Sequence, residues 1–234
     1  MGVLAACAVV VAVILWRWRH SGQILVHYLG LGLVYLYARI WHRWSVRDPG
    51  RAPAEGPAIL VSNHTCSADP AFLTAGCRRP LSFVIAREYY NIGMLQPLYD
   101  YIGCVPVSRN GRDAVGVRVA LRRLAEGRIL CIFPEGGLSH AGRRGLRPGK
   151  AGVALLALRS RVPVYPALIT GGPQTPSLLR AWLGPSRVRV TFGPAVDLSP
   201  YYGRPIDRKL LEEVTATLMR RIADLERTSP GRAV

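Results

Sequence analysis

From residue 58 onward the chain alternates between short apolar runs and longer segments with helical spacing, and this alternation restricts the fold more than any other feature. The apolar runs end in polar or turn-forming residues, as buried strands do. Strands are predicted at residues 59–61, 81–86, 105–108, 129–133, 162–170 and 188–192. Helices are predicted at residues 70–77, 92–101, 113–126, 150–159 and 206–225. The pattern predicts an α/β layered domain with a largely parallel or mixed sheet flanked by helices.

The length of 234 residues is enough for one such domain and an appendage before it. Residues 48–57 are rich in proline and glycine, which is typical of a linker. We therefore divide the chain into an N-terminal membrane-associated helical hairpin at residues 1–47, a linker at 48–57 and an α/β domain at 58–234.

The hairpin is predicted from two apolar runs, at residues 3–16 and 24–41. The first is short for a membrane span, which needs roughly 20 residues, and the second is borderline. A pair of spans would also place the arginines between the runs and those after the second run on opposite sides, against the positive-inside rule. We therefore favour a hairpin that dips into one leaflet, with its arginines and tryptophans at the interface. The alternative is a pair of helices buried in the core.

The composition is strongly basic, with 31 basic and 14 acidic residues and a formal charge of +17. Such a charge favours polyanionic partners: nucleic acid, anionic lipid headgroups, phosphorylated substrates or an acidic carrier protein. The five cysteines are scattered and include no Cys-x-x-Cys pair, so neither a zinc site nor a disulfide framework is predicted. A reducing cytosol is the simplest setting for this cysteine pattern.

A histidine and an aspartate, His64 and Asp69, directly follow the first predicted strand of the α/β domain. Strand exits are where α/β proteins place their chemistry. A carboxylate that accepts from one ring nitrogen leaves the other nitrogen free as a general base. The structural alternative is that Asp69 only caps a helix that begins at Pro70. Residues five apart diverge on a regular helix, so the pair requires an irregular turn between them.

Two other strand exits carry notable residues. Gly103 lies six residues before Arg109, and an arginine beside a loop suits a phosphate, although an exposed arginine is usually only solvated. The motif Phe133-Pro134-Glu135-Gly136 follows another apolar strand, and its plain reading is a tight turn. The proline-punctuated strand at residues 162–168 suits a sheet edge or a strand end, and it offers an apolar wall for a substrate or simple packing.

Taken in order, His-x4-Asp, Gly-x5-Arg, Phe-Pro-Glu-Gly and the proline-rich strand resemble the glycerolipid acyltransferase family, most closely the 1-acyl-sn-glycerol-3-phosphate acyltransferases. The resemblance extends over residues 58–197 and implies the glycerol-3-phosphate acyltransferase-like fold. It also implies that residues 58–234 form the acyltransferase domain. Bacterial members also carry a two-helix N-terminal membrane motif.

The resemblance implies a role for each matching residue. His64 would be the general base and Asp69 its orienting partner. Arg109 would hold the acceptor's phosphate, with Gly103 shaping that loop. Glu135 and Gly136 would contact the glycerol portion, with the neighbouring Phe133 and Pro134 also in the binding site. Residues 162–168 would line the site.

One departure concerns the residues after Phe-Pro-Glu-Gly. The family often continues with Thr-Arg-Ser, whereas here Gly137-Leu138-Ser139 follows, so the arginine is missing. The resemblance leaves four basic residues as substitutes: Arg143, Arg144, Arg147 and Lys150. Of these, Arg147 and Lys150 precede the next predicted helix, where the family often has a basic residue.

The implied reaction is acyl transfer from acyl-CoA or acyl-carrier protein to the sn-2 hydroxyl of lysophosphatidic acid at the cytoplasmic face of the cell membrane. It requires no metal, no cofactor and no nucleic-acid partner, and it leaves the oligomeric state open. Alternative acceptors are another lysophospholipid, a lyso-aminolipid or glycerol-3-phosphate. Two other classes remain: a membrane-tethered polyanion-binding module, and a hydrolase with Cys66 or Ser67 as nucleophile. The hydrolase lacks a Gly-x-Ser-x-Gly elbow.

Overall fold

A computed structural model describes residues 25–109, 113–138, 145–175 and 177–227. Within these residues the chain forms one seven-stranded sheet. Its strands are β1 (Ser45–Arg47), β2 (Ala58–Ser62), β3 (Leu81–Ala86), β4 (Val105–Val107), β5 (Ile129–Ile132), β6 (Val164–Thr170) and β7 (Arg189–Phe192). They lie side by side in the order β1-β7-β6-β2-β5-β3-β4.

The helices alternate with the strands along the chain. They are α1 (Leu25–Trp41), α2 (Asp69–Gly76), α3 (Arg87–Tyr90), α4 (Gln96–Tyr101), α5 (Ala114–Ala125), α6 (Gly152–Ser160), α7 (Leu178–Leu183) and α8 (Arg208–Arg227). Single 3-10 turns lie at Pro49–Arg51 and Ser199–Tyr201. The strand β1 and the helices α3 and α7 were not predicted from the sequence, because each is short and lacks a clear apolar period.

The sheet is mostly parallel. The central strand β2 pairs in parallel with β5 on one side and β6 on the other, and β3 pairs in parallel with both β5 and β4. The strand β1 is parallel to β7, whereas β7 runs antiparallel to β6. The predicted α/β fold with a largely parallel or mixed sheet is confirmed. The parallel arrangement brings the carboxyl ends of β2, β5, β3 and β4 to one end of the sheet, which we call its carboxyl edge.

Helices cover both faces of the sheet. Alternate residues of β2 enter different cores: Ile59 and Val61 pack with α5, α6 and α8, whereas Ala58 and Leu60 pack with α1, α2 and α7. This follows from the two-residue repeat of a strand. Because both faces are buried, the strands read as continuous apolar runs rather than as alternating patterns.

The proline-containing strand was predicted at a sheet edge or a strand end, and the first of these is wrong because the strand is interior. The strand β6 lies between β2 and β7. Regular pairing with β7 begins only at Ala167, and Pro166 faces the irregular end of β7, where its carbonyl accepts from Gly193 N at 2.8 Å. The missing N–H of Pro166 therefore falls where the ladder is already interrupted.

The N-terminal region is described only from α1 onward, so the predicted run at residues 3–16 lies outside the described residues. The helix α1 has 17 residues and packs against α2. None of the described helices is both long and apolar enough to cross a membrane. The leaflet hairpin and the domain boundaries at residues 47/48 and 57/58 stay predictions. The strand β1 lies within the same sheet as the strands of residues 58–234.

Candidate active site

The loop after β2 is held to the neighbouring strand by Asn63. Its side-chain amide donates to Ile169 O at 2.8 Å, and its side-chain oxygen accepts from Ile169 N at 2.7 Å. Asn63 is buried, so these bonds are shielded from water. The residue after Asn63 is His64, whose backbone position is thereby set by β6. The sequence motif did not single out Asn63, because its partner is distant in the chain.

The carboxylate of Asp69 accepts hydrogen bonds from three consecutive residues of the loop. It is fully buried, and its Oδ2 accepts from His64 Nδ1 at 2.9 Å, from Thr65 N at 2.5 Å and from Cys66 N at 2.9 Å. The hydroxyl of Thr65 donates to Oδ1 at 3.2 Å. Two backbone N–H groups thus stabilise the ionised carboxylate, which compensates for its burial. Thr65 is a contact that the sequence motif did not indicate.

The start of the next helix bears on the alternative in which Asp69 only caps it. The helix α2 begins at Asp69 itself and is preceded by Ala68, so Asp69 is the first helical residue rather than a cap before Pro70. The residues between His64 and Asp69 form the irregular turn that the pair requires. With Asp69 ionised, Nδ1 of His64 carries the proton, and Nε2 is left as the basic nitrogen.

The imidazole plane is also fixed by an aromatic ring. His64 stacks on Phe133, with ring centroids 4.0 Å apart and planes 14° from parallel. Phe133 follows β5, the neighbour of β2, and a second ring, that of Phe83, lies 6.4 Å from it. The His64 side chain is 18% exposed, so the ring is open to an incoming molecule. Stacking and the Asp69 bond together leave the ring little rotational freedom.

Glu135 joins two loops rather than facing solvent. It is 2% exposed, and its Oε1 accepts from His64 N at 3.1 Å while its Oε2 accepts from Arg147 N at 2.9 Å. The resemblance assigned Glu135 to the acceptor's glycerol portion, but both carboxylate oxygens are engaged with backbone. The residue therefore positions the loop that carries His64, and direct contact with an acceptor stays a prediction.

Two of the four predicted basic substitutes, Arg147 and Lys150, lie beside the Phe-Pro-Glu-Gly turn. Lys150 N donates to Pro134 O at 2.8 Å. Gly136 has φ +64°, and a Cβ there would lie 2.5 Å from Cε of Lys150, so the lysine side chain crosses directly over this glycine. Arg147 donates through Nη1 to Leu138 O at 3.2 Å. Arg143 and Arg144 lie outside the described residues.

Arg109 lies at the same edge of the sheet but farther along it. It follows β4, which is three strand spacings from β2, or roughly 14 Å. Its Nε lies 2.8 Å from Glu88 Oε1, and its guanidinium carbon lies 5.4 Å from the centre of the Tyr89 ring. Both members of the ion pair are about half exposed, so the pair is open to exchange with an anionic ligand.

Asp113 ties the Arg109 loop to α5. It accepts from Ser108 N at 2.6 Å and, as the helix cap, from Gly116 N at 2.7 Å. These backbone N–H groups hold the pKa of the Asp113 carboxyl below its usual value, with a smaller contribution from Arg87. Arg87, whose Nη2 lies 3.5 Å from Asp113, adds a second arginine at this end of the site. The sequence motifs gave no sign of it.

The structure does not bring Gly103 to the site. It precedes β4, whereas Arg109 follows β4, so the two residues lie at opposite ends of this strand. Gly103 has φ +73°, and a Cβ there would lie 2.6 Å from Nη1 of Arg128. The left-handed backbone conformation favours glycine at this turn, and the role of Gly103 in shaping the Arg109 loop stays a prediction.

Among the described residues, no group of three or more His, Cys, Asp or Glu side chains is placed to hold a metal ion.

Residues 43–170, more than half of the chain, match the family model described as Acyltransferase. The chain belongs to the acyltransferase family. Members of this family take the acyl donor as a substrate and need no cofactor.

This acyltransferase is similar to curated proteins of plants and humans. It is 27% identical over 168 residues to the 1-acyl-sn-glycerol-3-phosphate acyltransferase of Limnanthes douglasii, covering 69% of this chain and 57% of that protein. It is 27% identical over 156 residues to the human 1-acyl-sn-glycerol-3-phosphate acyltransferase beta, covering 64% and 55% of the two chains. The aligned part of the acyltransferase thus spans little more than half the length of these relatives.

The fold of this acyltransferase is also that of a solved structure. The crystal structure of the 1-acyl-sn-glycerophosphate (LPA) acyltransferase PlsC from Thermotoga maritima superposes with a TM-score of 0.68 at 18% identity. The match covers 94% of this chain and 89% of the other.

Proposed function

We propose that the protein is a membrane-associated O-acyltransferase that moves a fatty acyl group from acyl-CoA or acyl-carrier protein to the sn-2 hydroxyl of lysophosphatidic acid. The product is phosphatidic acid, an intermediate of phospholipid biosynthesis. The observation that carries the proposal is the His64–Asp69 pair, in which the carboxylate holds Nδ1 and leaves Nε2 basic beside an open sheet edge. The names of the two relatives support the choice of substrates.

The proposed reaction needs one base and no covalent enzyme intermediate. Nε2 of His64 removes the proton of the acceptor hydroxyl as its oxygen attacks the thioester carbonyl. The Asp69 carboxylate stabilises the imidazolium that forms. When the tetrahedral intermediate collapses, the carbon–sulfur bond breaks and the leaving thiolate takes the proton from Nε2. His64 is then neutral again and ready for another cycle.

The acceptor phosphate has two sets of basic residues available. Lys150 and Arg147 lie beside the Phe-Pro-Glu-Gly turn, which is joined to His64 through Glu135. Arg109 lies roughly 14 Å along the sheet edge from the histidine strand. In lysophosphatidic acid only a few bonds separate the phosphate from the reacting hydroxyl. We therefore assign the phosphate first to Lys150 and Arg147, with Arg109 as the longer-range alternative.

A cysteine hydrolase is disfavoured by the state of Cys66. The thiol is buried and its Sγ lies 3.3 Å from Asp69 Oδ1. Burial, together with the charge of Asp69, raises the pKa of this thiol well above its usual range. A neutral, inaccessible thiol is a poor nucleophile. The Ser67 hydroxyl donates to Leu178 O at 3.1 Å, away from His64.

The test is acyl transfer by the full chain in detergent, with labelled palmitoyl-CoA as donor. The acceptors are lysophosphatidate, glycerol-3-phosphate, lysophosphatidylglycerol and a lyso-ornithine lipid. The variant His64→Ala is compared with Ser67→Ala, which changes the same loop but leaves the base. We expect product with lysophosphatidate, lost by roughly a thousandfold or more in His64→Ala and retained in Ser67→Ala.

Other outcomes would change the proposed substrate or contradict the proposed reaction. Product with a different acceptor keeps the mechanism and changes the substrate. No product with any acceptor, from either acyl-CoA or acyl-carrier protein, contradicts the enzymatic reading. Lipid binding that survives His64→Ala without turnover would then indicate the membrane-tethered polyanion-binding module.

A further inference from the structure

Large apolar side chains are exposed on α1 and α7. On α1, Leu29, Leu33, Leu36 and Ile40 recur every three or four residues and so form one stripe, and Trp41 directly follows Ile40. Those of α7 surround Ala181, which is fully buried against the domain. We call these side chains the two-helix apolar surface: Leu29, Leu33, Leu36, Ile40 and Trp41 of α1, and Leu178, Leu179, Trp182 and Leu183 of α7.

The two helices form one continuous surface. The ring of Tyr37 stacks on that of Trp182, with centroids 5.6 Å apart, and the Tyr37 hydroxyl donates to Trp182 O at 2.6 Å. The indole N–H of Trp41 donates to Leu183 O at 3.0 Å. Because α1 side chains satisfy carbonyls at the end of α7, the short helix is fixed beside the long one.

The two segments that carry this surface have charged side chains of one sign only. Residues 25–47 and 171–190 contain no aspartate or glutamate. Exposed arginines flank these apolar side chains in the sequence, at positions 39, 43, 180, 187 and 189. An apolar face bordered by arginine and tryptophan is complementary to a bilayer with anionic headgroups. It is poorly suited to a second copy of itself, because the two arginine borders would repel.

The two-helix apolar surface borders the candidate active site. Ser67, which lies between His64 and Asp69, donates to Leu178 O at 3.1 Å. The helix α1 packs on α2, whose first residue is Asp69, and Trp44 of the following segment donates to Phe72 O at 3.1 Å. An element that rests on the bilayer here therefore holds the histidine loop close to the headgroups.

From these contacts we propose that α7 is a second membrane-docking element, which inserts Leu178, Leu179, Trp182 and Leu183 into an anionic bilayer alongside α1. The inference rests on the proposed function in that it gives the site access to an acceptor embedded in the membrane. It adds to the predicted N-terminal hairpin a contact point 137 residues after the end of α1, in a different part of the chain. Two separated contacts also set the orientation of the domain on the membrane.

The experiment places an environment-sensitive NBD label on single cysteines in the full chain carrying Cys7→Ser. The cysteines at positions 66, 77, 104 and 131 are buried and do not compete for the label. Leu179→Cys reports on α7. The matched control is Arg122→Cys, an exposed position on α5, which covers the opposite face of the sheet. Vesicles of phosphatidylcholine with phosphatidylglycerol carry a nitroxide quencher in their acyl chains.

In vesicle-bound protein we expect the label at position 179 to shift its emission to the blue and to be quenched by the nitroxide. The label at position 122 should show neither change. A label at position 179 that remains unquenched on bound vesicles overturns the proposal. A blue shift without lipid that grows with protein concentration also overturns it and indicates a second copy of the chain. The readout requires no turnover, so failure of insertion and failure of acyl transfer are seen separately.

A charged substitution on α7 tests whether membrane docking gives the enzyme access to its acceptor. Leu179→Glu should raise the KM for lysophosphatidate in vesicles several-fold and leave kcat with a short-chain, water-soluble acceptor unchanged. Ala125→Glu, exposed on α5, adds the same charge on the opposite face and should change neither value. Equal effects of Leu179→Glu on both acceptors, in a variant with an unchanged urea unfolding midpoint, would contradict docking.

Discussion

The side chain of Glu135 holds the backbone of His64, with Oε1 accepting from the His64 N–H at 3.1 Å. The same carboxylate accepts from Arg147 N through its other oxygen. The glutamate of the Phe-Pro-Glu-Gly turn thus fixes the loop that carries the proposed base, and it does so from a neighbouring strand. Its burial makes these charge-assisted bonds strong, because water does not compete for them.

Replacing Glu135 with glutamine should lower kcat more than it changes KM for either substrate. The amide keeps one acceptor oxygen, but its NH2 group then faces a backbone N–H, so one of the two loops is released. We expect a loss of about 2 kcal/mol in the free energy of unfolding from the lost buried bond. Urea unfolding and steady-state kinetics measure the two effects. Glu212→Gln, on the exposed face of α8, is the control, and an unchanged kcat in Glu135→Gln would contradict this role.

Asp69→Asn should abolish most of the activity while keeping the loop largely in place. The asparagine oxygen in the Oδ2 position still accepts from the Thr65 and Cys66 N–H groups and from His64 Nδ1, but the neutral amide no longer stabilises the imidazolium that forms during the reaction. A loss of roughly a hundredfold to ten-thousandfold in kcat is expected. Thr65→Val removes a neighbouring bond to the same carboxylate and should have a much smaller effect. Comparable losses in both variants would argue for a purely structural Asp69.

Alkylation should leave the activity intact. Because burial and the Asp69 charge raise the pKa of the Cys66 thiol, it stays neutral and unreactive at pH 7. Iodoacetamide treatment followed by mass spectrometry and an acyl-transfer assay checks this. The variant Cys66→Ala should keep kcat within about threefold while losing some stability from the small cavity. Inactivation that tracks modification of Cys66 would revive the hydrolase reading.

Removal of basic side chains separates the two possible phosphate sites. Lys150→Ala should raise the KM for lysophosphatidate by roughly tenfold or more, as expected for one lost charge-assisted bond. Arg109→Ala should have a smaller effect, and Glu88→Gln should lower the KM if Arg109 does bind the phosphate, because its competing ion pair is removed. Arg118→Ala, on α5, controls for the loss of one surface charge. A larger effect at Arg109 than at Lys150 would reverse our assignment.

The buried His42 predicts a stability that falls on acidification. Its Nε2 lies 2.7 Å from the Tyr37 hydroxyl and its Nδ1 lies 2.7 Å from the Ser186 hydroxyl. Burial lowers the pKa of His42 below its usual value. The unfolded chain therefore binds a proton more readily than the folded one, so the stabilisation is complete above about pH 6.5 and is lost as the pH falls towards the folded pKa.

Urea unfolding between about pH 5 and pH 7.5 measures this dependence. The free energy of unfolding should decrease on the acid side, and the slope should be smaller in His42→Gln, whose amide cannot titrate. An identical slope in the two proteins would exclude His42 as its source.

The sequence alone determined the layered α/β fold and the loop chemistry that follows its strands. Strand and helix periods are local, so most elements were predicted within two or three residues of their observed bounds. The His64–Asp69 pair could be proposed for the same reason, because one short turn joins the two residues and the helix begins at Asp69 as the pair requires.

Only the tertiary structure decided which distant residues meet. The order of the strands places β5 beside β2, which brings Phe133 and Glu135 against His64, whereas β4 keeps Arg109 three strands away. It also places the proline-rich strand in the interior of the sheet and Gly103 at the end of β4 opposite to Arg109. The contact of α7 with α1 likewise depends on the packing of both helices on one face of the sheet. These relationships arise from strand order and side-chain packing, which a local sequence pattern does not encode.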